Sequence, residues 1–123
     1  LVPTVVCDTG HNAGAWEYLS KQLEEVKCSE LRIVYGILED KDIYGILQML
    51  PKKATYYWTK GTTKRAFPET SLKVFGEQVG LHGNCYPTVA EAYHAAIEGA
   101  KNDVFIFVGG STYIVADFLK TRI

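Results

Sequence analysis

Asp103-Val104-Phe105-Ile106-Phe107-Val108, running into Gly109-Gly110-Ser111-Thr112, is the stretch on which the reading of this chain turns. Every position after Asp103 up to Val108 is β-branched or aromatic, with no polar alternation. A strand that is apolar on both faces belongs inside a sheet that is covered on both sides. The glycines and hydroxyl residues that follow end the strand and open a helix, whose apolar positions are Ile114, Val115, Phe118 and Leu119.

The same strand–loop–helix unit recurs upstream. Val2 to Cys7 is a first apolar run, followed by the polar loop Asp8-Thr9-Gly10-His11-Asn12. Asn12 is placed to cap a helix in which Trp16, Leu19, Leu23 and Val26 recur at helical spacing. Leu31 to Gly36 is the second run, with the loop Ile37 to Asp42 and a short helix carrying Ile43, Ile46, Leu47 and Leu50, stopped by Pro51. Ala54 to Trp58 is the third, followed by the polar stretch Thr59 to Ala66 and a helix opened by Pro68. Leu81 to Tyr86 is the weakest run, because Gly83 and Asn84 are poor strand formers. Pro87 and Thr88 then begin a clear helix with Val89, Ala92, Tyr93, Ala96 and Ile97 on one stripe. The alternation predicts an α/β fold: a three-layer α/β/α, Rossmann-like domain with a mostly parallel sheet of five to six strands.

Composition bounds what such a domain does. The 123 residues carry 13 Lys and Arg against 14 Asp and Glu, a net charge of −1. That balance removes the electrostatic case for nucleic-acid or anionic-membrane partners. Cys7, Cys28 and Cys85 form neither a disulfide framework nor a C-x-x-C pair. No apolar run approaches the ~20 residues of a membrane-spanning helix. These features fit a cytoplasmic protein. The chain opens at Leu1, inside an apolar run, so residues 1–123 are read as one domain cut from a longer protein.

In parallel α/β sheets, ligands bind at the carboxyl ends of the strands. The loops there hold Asp8, His11 and Asn12; Asp40, Lys41 and Asp42; Lys64 and Arg65; and Gly110 and Ser111. Each has a plain alternative. Asp8 can cap its own turn, the Asp40–Asp42 acids can sit at a helix start, Lys64 and Arg65 can be solvated, and Gly110-Ser111 can be a tight turn with a cap. Lys41 fits the plain reading worst, because a cation at the positive end of a helix dipole calls for an anion. The G-x-x-x-x-G-K-[ST] phosphate loop, G-x-G-x-x-G and G-x-S-x-G are all missing from the chain. A phospho-receiver site fails because the third strand ends in Trp58-Thr59 and the fifth in Gly-Gly-Ser. A Ser111-His11-Asp8 triad fails because Asp8 and His11 share one short loop.

Four segments occur in order: Val6-Cys7-Asp8-Thr9-Gly10-His11-Asn12, Tyr35-Gly36-Ile37-Leu38-Glu39-Asp40-Lys41-Asp42, Arg65 ahead of Pro68, and Asp103 to Val108 closing in Gly109-Gly110-Ser111. With the alanine-rich fourth helix from Ala90 to Ala96, this set resembles the carboxy-terminal domain of the Mur ligase superfamily, most closely the folylpolyglutamate synthase/dihydrofolate synthase branch. The loop differs from the family's usual form in having Thr9-Gly10 between Asp and His and Ala13 after Asn12. The resemblance implies a lid domain, inactive alone, of an ATP-dependent ligase. That enzyme would join L-glutamate to a folate or dihydropteroate carboxylate through an acyl phosphate. ATP and Mg2+ would be bound mainly by an upstream P-loop ATPase domain of the same chain. Asp8, His11 and Asn12 would face the nucleotide and the domain interface, while Lys41, Asp40, Gly110 and Ser111 would hold glutamate. Arg65 would make a substrate or interdomain contact. No metal ligand is expected on this domain. The alternatives are the corresponding domain of a peptidoglycan-precursor Mur ligase, or a stand-alone flavodoxin-like binding module.

Overall fold

A computed structural model describes residues 3–10 and 12–122, Arg122 by its backbone alone. Strands and helices alternate in the order β1 (Thr4–Asp8), α1 (Ala13–Glu25), β2 (Glu30–Tyr35), α2 (Ile43–Met49), β3 (Thr55–Trp58), α3 (Glu69–Gln78), β4 (His82–Cys85), α4 (Val89–Ile97), β5 (Val104–Gly109) and α5 (Thr112–Arg122). The expected helix starts hold at three caps. The side chains of Asn12, Asp42 and Thr88 accept from the backbone N–H of Ala15, Gly45 and Glu91, each satisfying a donor that the first turn leaves open.

The sheet has five parallel strands in the order β1-β5-β2-β3-β4. This order fixes the layers. Each of the first three crossovers steps the same way across the sheet, so with one crossover hand their helices share a face. The fourth steps back, sending α4 to the other face with α5. The cores divide accordingly. Trp16, Leu23, Ile46, Leu47 and Leu72 pack with Ile33, Tyr35, Tyr56, Trp58 and Phe107 on one side. Val89, Ala92, Ala96, Ile114 and Phe118 pack with Val34, Ile106 and Val108 on the other. Alternate residues of β2 and β5 thus feed opposite cores, as strand geometry requires, and both-faced burial explains the unbroken apolar run of β5.

Aromatic rings fill the first core. Trp16 meets Tyr35 and Phe107 edge-on, with centroids 5.7 and 5.2 Å apart, and Tyr56 stacks on Trp58 at 4.6 Å. In the second layer Arg32 binds Glu30 in a fork and donates to the carbonyls of Ala96 and Glu98. A cation there meets the negative end of α4. The Glu30 carboxylate holds the Arg32 guanidinium above its ordinary pKa, against the opposing effect of burial. At the sheet's edge, Val5 and Cys7 pack inward on the α4/α5 side while Val6, on the opposite face, stays 41% exposed.

Ile106 is fully buried in β5, an interior strand of the sheet. Ile106→Ala should cost about 2–5 kcal/mol in urea denaturation, whereas Val74→Ala, at a side chain 53% exposed on α3, should stay within about 0.5 kcal/mol.

Candidate functional site

β5 leaves the sheet toward the α4/α5 face, while its neighbours β1 and β2 leave toward the α1–α3 face. Loops that diverge in this way open a crevice at the carboxyl edge. The floor of the crevice is bare backbone. Gly110 has φ +116°, and a Cβ there would lie 1.9 Å from the Gly36 carbonyl oxygen. A Cβ on Gly109 would lie 2.1 Å from the Asp8 carbonyl oxygen, and one on Gly36 would lie 2.6 Å from that of Thr59. Gly110 N–H donates to the Thr9 carbonyl at 3.0 Å, and Gly36 N–H donates to the Gly109 carbonyl at 3.3 Å. Glycine is required here both for the left-handed angle and for the close approach.

The polar residues stand around this floor. Asp8 Oδ1 accepts from Gly10 N–H at 3.1 Å, and its carboxylate is otherwise exposed. The capping role of Asp8 and an outward-facing carboxylate therefore coexist. Gly10 is fixed from below, since the Trp16 indole N–H donates to its carbonyl. Asn12 spends its side-chain oxygen on Ala15 N–H at 2.8 Å. His11 lies outside the described residues. Ser111 is buried and its Oγ accepts from Ile114 N–H at 3.3 Å, capping α5.

The loops after β2 and β3 are zipped together. Glu39 N–H donates to the Arg65 carbonyl at 2.8 Å, and Phe67 N–H donates to the Ile37 carbonyl at 2.9 Å, flanking an antiparallel bridge between Leu38 and Ala66. Arg65 donates to Asp40 Oδ2 at 2.9 Å, with both side chains about half exposed. Arg65's hydrogen bond, and then its charge, holds the Asp40 carboxyl below the usual carboxylate range. Lys41, between Asp40 and Asp42, is half-buried and makes no ion pair among the described residues. The sequence candidates after β2 and β3 thus come together as one unit, and those after β1 and β5 as another. Lys64 is exposed beside a cavity of about 430 Å³ lined also by Lys60, Thr62, Thr88 and Asp117.

Residues that sequence reasoning did not single out also hold this edge. Thr62 N–H and Oγ–H both donate to Asp117 Oδ2 at 2.8 Å, across 55 positions. The Tyr35 hydroxyl, the Trp58 indole N–H and the Thr59 hydroxyl are buried at the ends of β2 and β3 without hydrogen-bond partners among the described residues. Burial pushes the Tyr35 phenol far above its ordinary range, so it stays neutral. Among the described residues, no group of three His, Cys, Asp or Glu side chains is arranged to hold a metal ion. A larger cavity, of about 840 Å³, opens at the opposite edge of the sheet, between Leu23–Leu31 and Gln48–Thr55. None of the candidate residues line it, and the starts of the helices face away from it. The carboxyl edge is therefore the candidate site despite its smaller cavity.

Two outcomes test this geometry. Gly110→Ala should lower the melting temperature markedly, since strain at positive φ (~1–3 kcal/mol) adds to the clash with Gly36. The Asp40 carboxyl is depressed from an ordinary value of 3.8, so its pair with Arg65 persists above that value and is lost as pH falls through the lower one. An NMR titration should show the lowered midpoint, and Arg65→Gln should return it upward.

A dihydrofolate synthase/folylpolyglutamate synthase of Buchnera aphidicola from Schizaphis graminum is 28% identical over 98% of this chain and 29% of its own length. The structure of E. coli FolC in complex with DHPP and ADP superposes with a TM-score of 0.86 at 29% identity, covering 96% of this chain and 28% of the other. A bifunctional folylpolyglutamate synthase/dihydrofolate synthase with Mn, AMPPNP and L-glutamate bound gives 0.84 at 27% identity, covering 98% and 29%. The chain thus spans less than a third of the length of these relatives. Residues 2–112 match the family model for the glutamate ligase domain of Mur ligases, and the chain belongs to that family.

Proposed function

We propose that residues 1–123 are the carboxy-terminal domain of a longer, cytoplasmic ATP-dependent ligase that adds L-glutamate to a folate or dihydropteroate carboxylate. One observation carries this reading. The Asp8 loop, the Lys41 loop and the Gly110-Ser111 turn gather at the one edge of the sheet where the strand exits diverge. The bound nucleotide and L-glutamate in the relatives' structures support it, as does the fraction of each relative that the chain spans. Among the described residues, no helix is long and apolar enough to cross a membrane.

In this chemistry, ATP with its divalent cation supplies the phosphoryl group: the substrate carboxylate becomes an acyl phosphate, ADP leaves, and the glutamate amine then displaces phosphate and loses a proton. An upstream P-loop domain would hold most of the nucleotide. This chain's own residues would bind, orient and shield. The exposed Asp8 carboxylate, together with Asn12 and with His11 of the same loop in the sequence, would meet the ribose or phosphate side at the domain interface. Lys41, with no ion pair among the described residues, would take a glutamate carboxylate, which is a charge-assisted contact. Ser111 and Gly110 would add the start of α5, whose first N–H groups face the edge and favour an anion. Asp40 and Arg65 would frame that pocket and contact substrate or the neighbouring domain. Closing such a lid keeps water from the acyl phosphate, which would otherwise hydrolyse.

Kinetics of the intact enzyme test the assignment. A charge-assisted hydrogen bond contributes about 1.5–3 kcal/mol, so Lys41→Ala should raise the glutamate KM about ten- to a hundredfold and leave the ATP KM alone. Asp8→Ala should do the reverse. Unchanged glutamate kinetics in Lys41→Ala would remove Lys41 from the site. Calorimetry of the isolated chain separates the rival: tight FMN or nucleotide binding by residues 1–123 alone would favour a stand-alone binding module.

A further inference from the structure

The Lys41 loop is not held in place by its own strand and helix alone. It is laid against the loop after β3 through Glu39, Ile37 and Phe67, so its position depends on where that second loop is fixed. The second loop, residues 59–68, has no helix or strand of its own beyond the Leu38–Ala66 bridge. Its tip, at Gly61 and Thr62, is held by α5. Gly61 lies so close to the helix that a Cβ would come within 2.6 Å of Tyr113 Cβ. Tyr113 also makes a smaller contribution to the electrostatic environment of Arg65, behind that of Asp40. The directional contact is Asp117, whose Oδ2 receives both the backbone N–H and the hydroxyl of Thr62.

Tyr113 and Asp117 are four residues apart and lie one turn above the other on the same face of α5. The start of that helix carries Ser111. One rigid element therefore presents the Gly110-Ser111 turn and, through Thr62, aligns the loop that aligns Lys41. We infer that Asp117, whose side chain has no hydrogen bond or ion pair to a proposed ligand-binding residue among the described ones, is a positioning residue for the glutamate pocket. The inference rests on the glutamate reading of Lys41 given above. Its physical content is that a carboxylate on the second turn of α5 sets the distance between the two anion-binding parts of the site. A backbone N–H and a hydroxyl converging on one carboxylate oxygen fix direction as well as distance, which a solvated lysine or a single ion pair does not.

The test uses the intact enzyme and asks for two readouts. Asp117→Ala should raise the glutamate KM about five- to twentyfold, with the ATP KM unchanged, because only the pocket's alignment is lost. Asp117→Asn keeps an acceptor oxygen of the same shape and should restore most of the loss. In hydrogen exchange, Asp117→Ala should speed exchange in a peptide covering residues 37–42, whose Glu39 amide is bonded to Arg65, and leave peptides of β2 and β5 unchanged. If Asp117→Ala leaves both glutamate KM and that exchange unaltered while Lys41→Ala raises the KM, the positioning role is overturned and the pocket stands. If Lys41→Ala also leaves glutamate kinetics unchanged but residues 37–42 still loosen, the pocket reading fails on its own. Faster exchange throughout the sheet in Asp117→Ala would mark the residue as a general fold contact and overturn the proposal; Thr62→Val, which removes only the hydroxyl donor, would then have to leave the glutamate KM unmoved.

Discussion

At Gly110 the backbone has φ +116°, and the Gly36 carbonyl oxygen stands 1.9 Å from where a Cβ would be. This crowding is the condition on which the edge of the molecule is built. β5 lies between β1 and β2 and must turn away from both as it leaves the sheet. Any side chain at 109 or 110 would wedge the three strand ends apart. With none there, main-chain hydrogen bonds can join Thr9 to Gly110 and Gly109 to Gly36, and α5 can begin directly above the floor. The site's geometry follows from the absence of side chains at the strand ends, and its chemistry from the polar residues placed one or two positions beyond.

The energetics distinguish what holds the edge from what decorates it. The Asp40–Arg65 pair is about half exposed, and pairs of that kind contribute little to stability. The main-chain bonds between the two loops do not depend on such screening to the same degree. The exposed pair therefore reads as an orienting contact within a frame already set by backbone. Both partners feel it: Asp40 is held ionised and the guanidinium is held charged.

Much of this was legible in the chain because the local signals agree with the global fold. Unbroken apolar runs marked the buried strands, and Asn12, Asp42 and Thr88 announced helix starts that the structure confirms. β4 looked weak because of Gly83, yet it is a strand. A Cβ at Gly83 would lie 1.8 Å from the Tyr56 carbonyl oxygen, so the residue that lowers strand propensity is the one that lets β4 approach β3. Strand order was not legible, since nothing local says that β5 inserts between β1 and β2. The Thr62–Asp117 contact was hidden for the same reason. Its partners are 55 positions apart, and each taken alone is an ordinary polar residue in a loop or on a helix.

The position of β5 also governs how the molecule comes into being. Its pairings join Thr4 to Phe105 and Glu30 to Val104, so an interior strand of the sheet is the last to be made. Until residue 109 is available, β1 has no neighbour within the sheet and β2 is paired on one side only. Contacts spanning such sequence distances form slowly, because the loops must close before the contacts repay that cost. The same event that completes the sheet brings the Asp8 loop, Gly36 and the start of α5 together. The floor of the crevice, which Gly109 and Gly110 supply, is therefore completed only when β5 is in place.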